Sequence, residues 1–387
     1  MITIDRLVFL GTAALLAAGL NATGCSASND GDNGGDSDSD SDSDTDTDTD
    51  TDSDTDTDSD SDSDSDSETV DPNDHDGDGF EIADDCDDFN EFVNPMAVED
   101  LGEDGEGDEV DNDCDGETDE DEGYCDCGGD LENSELDLLA AMQLCDDRFI
   151  ISVDKVMTSS GGDVAFDTLQ NQGINTCLLP THGCEMAVIS TGPIGQSNPN
   201  NAQDMGGGVA DISLDPQPAY QGDTATTAAT YASCDVSQIS ISLLAPSNAK
   251  GFSFDFLFGS AEYNEWINMG YNDTFYAIVE DAALNGGATT NIAFDDNDNE
   301  IEVDTNFFEN SLYPCDESGS GWEPEITSVS GSTGWLRTAW NIEPNTAFEI
   351  TFSIHDEGDC VFDSITFLDN FRWSTEPVEP GTTPIID

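Results

Sequence analysis

The sequence predicts a mainly β protein: a β-sandwich or jelly-roll-like domain behind a disordered acidic linker and a small Asp-rich loop module. Three observations lead there. First, the second half alternates apolar and polar residues in short runs, such as Phe252, Phe254, Phe256 and Phe258 against Ser253, Asp255 and Leu257. That is the period of a strand with one buried face. Second, charge is partitioned. The 387 residues hold 88 Asp and Glu against 6 Lys and Arg, and residues 26–122 carry 44 of those acids and no base. An apolar core can form only outside that stretch. Third, two runs inside it, beginning at Asp74 and Asp111, place carboxylates at alternate positions ahead of a Gly. Such spacing converges oxygens on one hard cation and marks a calcium loop. The formal net charge of −82 excludes nucleic acid as a partner, since phosphate binding needs clustered cations. It equally disfavours docking on anionic membranes through basic patches.

Residues 1–24 read as an export signal. Arg6 precedes fourteen apolar or small residues, Leu7–Leu20, fewer than the about 20 that span a bilayer and suited to a secretory h-region. The run ends in Ala22-Thr23-Gly24-Cys25, which resembles a bacterial lipobox, although Ala22 stands where Leu is usual. The resemblance implies that Cys25 is lipidated and becomes the mature N-terminus. With Ser26 rather than Asp next, it implies an outer-membrane lipid anchor, at the cell surface of a Gram-negative bacterium. Ordinary signal cleavage, with Cys25 paired elsewhere, is the alternative. Setting Cys25 aside leaves ten of the eleven Cys, an even number that makes disulfides the default in an exported chain. The spacing alone leaves their connectivity open. The Cys125-Asp126-Cys127 pair could bind metal as thiolates, but an oxidising compartment and a total of three His argue against it.

Residues 25–70 form a spacer. From Asp36 to Asp66 Asp alternates with Ser or Thr, so neither face of a strand could be buried and like charges two residues apart repel. Extended, residues 26–70 reach at most roughly 150 Å at ~3.3 Å per residue. A calcium-buffering tail is the weaker reading, because a flexible chain loses entropy in wrapping an ion.

Residues 71–122 form the loop module. Counting Asp74 as the first position of a twelve-residue calcium loop places Asp76, Asp78 and Asp85 at positions three, five and twelve. Counting from Asp111 places Asp113, Asp115 and Glu122 likewise, and Glu122 is the better closing residue because it can be bidentate. Flanking amphipathic helices are missing, so neither run is a true EF-hand. The stretch resembles the aspartate-rich metal-binding motif of the MopE type in its pieces DHDGDGF, DDCDDFN, VNP-x-A-x-E and DEVDNDCDGETDE. That resemblance implies a disulfide-stapled module with Cys86 and Cys114 as the natural pair. The motif's label mentions copper, but all-oxygen donors favour Ca²⁺. Plain acidic low-complexity sequence is the alternative.

Residues 123–373 form the β domain. Ser134 caps a short helix through Met142, with Asp137 three residues on. Strands follow at 239–244, 252–258, 274–279, 301–303, 335–340, 348–354 and 365–371, separated by Gly, Asn, Asp and Pro clusters. Each is expected to turn one face to the core and one to solvent. The Phe stripe reads as core before it reads as a sugar-stacking platform. Residues 374–387 read as a C-terminal tail.

The run Phe252 to Tyr263, FSFDFLFGSAEY, followed by Tyr271-Asn272-Asp273-Thr274-Phe275, resembles the core of the choice-of-anchor L domain. The later Asn291-Ile292-Ala293 block, the run from His355 through Asp356 and Asp359 to Asp363-Ser364, and Thr191-Gly192 match its remaining blocks. The resemblance covers about residues 145–373. It implies a secreted or surface protein, in a family whose members carry differing anchors and have no established biochemical role. Glu262, Asp273, Asp356, Asp359 and Asp363 fall in its motif positions, and clustered carboxylates repel unless a cation neutralises them. Ca²⁺ is therefore the expected cofactor, with separate solvated loop acids as the alternative. His355 is expected in a turn rather than as a base, and the Asp295-Asp296-Asn297-Asp298-Asn299 run is expected either as a hairpin tip or as a calcium ligand. The functional expectation is a non-enzymatic, calcium-stabilised surface lipoprotein presenting a sandwich to an extracellular glycan or matrix protein. The alternative is a surface hydrolase that cuts polysaccharide through paired carboxylates such as Glu262 and Asp273.

Overall fold

The structure is a computed structural model that describes residues 71–102, 107–120, 135–157, 166–170, 179–191, 233–260, 262–263, 267–269, 272–284, 286–295, 297, 299–310, 331–357 and 364–385. The chain divides into two units, Met1–Asp66 and Ser67–Asp387, and every described residue belongs to the second. Cys25 and the spacer lie outside the described residues, as do Glu122, Asp359 and Asp363.

Among the described residues, one helix and fourteen strands make up the β domain. They are α1 (Glu135–Ala141), β1 (Ile150–Met157), β2 (Phe166–Gln170), β3 (Glu185–Ser190), β4 (Ser233–Leu244), β5 (Gly251–Ser260), β6 (Thr274–Asp281) and β7 (Thr289–Asn291). Then come β8 (Ile301–Glu302), β9 (Glu309–Asn310), β10 (Gly331–Ser332), β11 (Leu336–Asn341), β12 (Ala347–Glu357), β13 (Ser364–Ser374) and β14 (Gly381–Pro384). Two antiparallel sheets result. One runs β1-β4-β12-β6-β7, with β8 on β6; the other runs β14-β11-β5-β13-β3-β2, with β10 on β5 and β9 on β10.

The sheets face each other through one core. Phe252, Phe254 and Phe256 of β5 point inward and meet Phe348, Phe352 and Phe275 of the opposite sheet, with ring centroids 5.4, 4.9 and 4.8 Å apart. Ile239, Ile241 and Leu243 of β4 and Ile350 and Ile354 of β12 complete the apolar layer. This is the alternation expected of a sandwich. The helix closes one end: Leu138, Leu139, Ala141 and Met142 are buried on a single face, as i, i+3 and i+4 spacing requires. Met142 then accepts a hydrogen bond from Phe371 N at a bulge in β13, where Asn370 has φ 53°.

Two expectations are corrected. β5 is buried on both faces, because its outward set is covered too. Leu257 packs with Met186, Val188, Ile365 and Phe367 in a second apolar cluster. Asp255, fully buried, is neutralised by Arg337 in a two-point pair at 2.6 and 2.9 Å. The segment read as a tail contains β14, which pairs with β11 in the register Thr338↔Thr382 and joins those two side chains by a 2.8 Å hydrogen bond. Gly-Thr-Thr-Pro carries no apolar alternation, so nothing in its pattern announces a strand.

The Asp-rich stretch contains no helix or strand among its described residues. It is a series of turns capped by carboxylates, crosslinked by the Cys86–Cys114 disulfide. It docks on the turn between β4 and β5. Ser247 N donates to Met96 O at 2.8 Å, and Asn248 bonds both Val98 N (3.0 Å) and Val98 O (2.7 Å). Cys145 and Cys184 are disulfide-bonded as well.

Because Phe254 and Phe352 are both fully buried and in edge contact across the sheets, Phe254→Ala is expected to cost about 3–5 kcal/mol. Chemical denaturation should register this as a lower midpoint with an unchanged slope.

Candidate metal centres

The first centre is the loop from Asp74 to Asp85. Asp74 accepts hydrogen bonds from Gly77 N (2.7 Å) and Gly79 N (3.2 Å), which close the turn. Gly77 and Gly79 have φ of 87° and 100°, values a side chain would strain. Asp76 Oδ1, Asp78 Oδ1 and Asp85 Oδ1 each accept one backbone N–H two residues on, at 3.2, 2.8 and 2.9 Å. Their second oxygens, Asp76 Oδ2, Asp78 Oδ2 and Asp85 Oδ2, are buried without a hydrogen-bond partner. Oxygens of Asp74, Asp76 and Asp78 come within 4.8 Å of one another. Burial, reinforced by the neighbouring carboxylates, raises Asp78 and Asp85 above the ordinary range. Orphaned oxygens in an all-carboxylate donor set fit a hard divalent cation.

The second centre brings in a residue that the spacing did not single out. Asp111, Asp113 and Asp115 sit in a turn of the same design, with Asp111 Oδ2 accepting Gly116 N at 3.1 Å and Asp111 Oδ1 buried without a partner. The described residue that joins Asp113 and Asp115 is Glu120, within 4.8 Å of both. Glu120 was not legible in the twelve-residue count, which points two residues further on to Glu122. Its carboxylate oxygens are both buried without a partner. Burial, with the charges of Glu99, Asp115 and Asp113 adding to it, pushes its pKa up to about 7. Glu99 holds the turn by accepting Asn112 N (2.7 Å), Asp113 N (3.2 Å) and Asp119 N (2.7 Å). Arg148 reaches Asp113 at 2.7 Å, so a protein cation already offsets part of this charge.

The third centre lies inside the sandwich. Glu262 follows β5, Asp273 precedes β6, and Asp356 lies on β12, where the register His355↔Thr274 sets it beside Asp273. The three are 1, 0 and 1% exposed, and oxygens of all three come within 4.8 Å of one another. Asp273 also accepts the Ser364 hydroxyl of β13. One sheet thus supplies Glu262 and Ser364 and the other Asp273 and Asp356, and the cluster ties the sheets together at this end.

Two further residues differ from expectation or settle an open reading. His355 is not in a turn: it lies in β12, fully buried, its ring stacked 5.6 Å from Tyr276. The strand runs on past the last apolar residue of its alternation, Ile354, so the pattern ended before the strand did. Asp295 accepts Asn297 N (2.7 Å), Asn299 N (2.9 Å) and the Asn299 amide. Burial opposes its ionisation, but those donors prevail and hold it below the ordinary range. That is the chemistry of a hairpin tip.

These features define an acidic, antiparallel two-sheet sandwich with buried carboxylate clusters. The chain belongs to the choice-of-anchor L domain family, whose pattern matches residues 147–372. No curated protein matches it. Among solved structures it is similar to a carbohydrate-binding module in complex with beta-1,4-galactotriose, at 13% identity and TM-score 0.26, over 59% of this chain and 90% of that one. It is also similar to the K2 cleaved adhesin domain of Lys-gingipain, at 10% identity and TM-score 0.28, over 57% and 88%. The K1 domain of Lys-gingipain from Porphyromonas gingivalis W83 follows, at 8% identity and TM-score 0.22, over 57% and 98%. Likenesses this distant carry no argument about what this chain binds.

One buried acid outside the three centres gives a pH prediction. Asp369, fully buried, accepts Thr181 N, Thr181 Oγ and His182 N at 2.6, 3.0 and 3.0 Å. Burial nevertheless pushes its pKa up to about 7. A carboxyl raised on folding gives stability that is complete below its unfolded pKa near 3.8 and is lost as pH rises through about 7. Asp369→Asn should flatten the dependence of Tm on pH across that window relative to the parent chain.

Proposed function

We propose that this protein is a calcium-stabilised cell-surface lipoprotein whose β-sandwich serves adhesion or contact with extracellular matrix, without catalysing a reaction. The observation that carries the reading is the first loop, where Asp76, Asp78 and Asp85 each hold an oxygen out of water with no donor to receive it. A buried carboxylate oxygen left so costs free energy, and a cation between the gathered oxygens of Asp74, Asp76 and Asp78 is a partner that removes it. Asp74, Asp76, Asp78 and Asp85 would hold the first ion, and Asp111, Asp113, Asp115 and Glu120 a second. Glu262, Asp273 and Asp356 would hold one between the sheets. Membership of the choice-of-anchor L family supports a surface location, and the lipobox-like Ala22–Cys25 supports a lipid at Cys25. In this reading residues 25–70 space the domain from the outer membrane, and an extracellular glycan or matrix protein is the partner.

The hydrolase reading has proximity in its favour, since acids about 5 Å apart suit a retaining glycosidase. Glu262 and Asp273 are 1 and 0% exposed, so a polysaccharide chain does not reach them. Calorimetric titration with Ca²⁺ of the chain without its lipid, disulfides intact, should show saturable uptake. Tm should rise by an amount equivalent to about 2.7 kcal/mol at one hundred times Kd. Absence of both effects overturns the calcium reading. Glu262→Gln should lower Tm and Ca²⁺ uptake together; loss of a glycan-cleaving activity instead would establish the hydrolase.

A further inference from the structure

The two Asp-rich turns are built alike, bond for bond. Gly79 N donates to Asp74 Oδ2 at 3.2 Å in the first, and Gly116 N donates to Asp111 Oδ2 at 3.1 Å in the second. Both glycines have left-handed backbone, with φ of 100° and 99°. Asp76 Oδ1 accepts Asp78 N at 3.2 Å, and Asp113 Oδ1 accepts Asp115 N at 3.0 Å. They differ at the next oxygen. Asp76 Oδ2 is buried without a partner, whereas Asp113 Oδ2 receives Arg148 Nη1 at 2.7 Å. That guanidinium is fixed before any ion arrives. It holds Asp146 through Nε and Nη2 at 2.7 and 2.6 Å, donates from Nη1 to Pro95 O at 3.2 Å, and lies 5.1 Å over the Phe149 ring. Asp113 is 4% exposed, so water and salt screen this contact weakly.

We infer that Arg148 ranks the two loops: it is the resident cation of the Asp111 loop, so Ca²⁺ fills the Asp74 loop first and enters the second only by displacing the guanidinium from Asp113. This rests on the calcium reading of both loops. An ion in the first loop meets an Asp76 oxygen that nothing else claims. In the second it meets an Asp113 already neutralised, and the like charge beside that oxygen repels it and weakens uptake. Asp111 Oδ1 and both Glu120 oxygens, buried without partners, still draw the ion in once its concentration is high enough. Asp146 stays paired with the displaced guanidinium, so the exchange strands no cation.

The Gly79 and Gly116 amides report the loops separately, because each donates to the first carboxylate of its own turn. In an NMR titration of the full chain with Ca²⁺, disulfides intact, Gly79 should reach its midpoint at a concentration roughly ten-fold or more below that of Gly116. Arg148→Gln removes the charge and keeps a polar side chain beside Asp113. It should lower the Gly116 midpoint by roughly ten-fold and leave that of Gly79 in place. Both midpoints moving together would mark a merely structural role for Arg148 and overturn the ranking. So would one shared midpoint in the parent chain, Gly116 ahead of Gly79, or a Gly116 response that Arg148→Gln leaves unchanged; each leaves the calcium reading standing. The parent titration decides the order of filling even where the variant does not fold. No response at either amide overturns both.

Discussion

Phenylalanines of β5 meet aromatic partners from the opposite sheet at three successive inward positions, and this interlock is what allows a chain of net charge −82 to collapse at all. Each ring brings a large apolar area out of water and adds edge or offset contact to it. Phe371 extends the row by stacking on Phe252 at 5.4 Å, and Trp373 meets Phe371 and Phe348 edge-on. The carboxylates inside the molecule are then carried on a frame that is already fixed. Glu262, Asp273 and Asp356 are held together because the strands bearing them are registered by this core, not because they attract.

The protein manages its buried acids in three ways. Asp255 and Asp113 take an arginine, and with six Lys and Arg in the whole chain that solution is rationed. Glu99, Asp295 and Asp369 draw backbone and side-chain donors around themselves, and their charge is spent on holding turns. A third group, among them Asp76, Asp78, Asp85, Asp111 and Glu120, keeps oxygens with nothing to accept from. The first two groups explain local shape. The third group is the one on which the proposed calcium reading rests.

The strands whose alternation is clean were legible in the sequence: β5, β12, β6, β4 and β13 fall where Phe, Ile and Val recur at period two, and β11 where Leu336, Thr338 and Trp340 do. Those that were not legible fail for separate reasons. β3 is buried along its whole length, and Glu-Met-Ala-Val-Ile-Ser has no polar face to announce a strand. β1 exposes Ile151 and Val156, so its apolar residues fall on both faces. The acids at the three centres were visible as residue types in motif positions, and the structure brings Asp74, Asp76 and Asp78 together, and likewise Glu262, Asp273 and Asp356. Glu120 was hidden because a count along the chain cannot see which side chain a turn folds inward.

The pairing of β14 with β11 has a further consequence. Among the described residues β14 is the last strand of its sheet, and Gly381–Pro384 covers the hydrogen-bonding edge of β11. It ends in a proline, which cannot donate to a neighbour and so blunts the boundary it forms. Loss of these few residues would bare an in-register row of N–H and C=O groups on Leu336–Ala339, a template for another extended segment. The short strand β14 thus closes an edge that is otherwise open to edge-to-edge pairing.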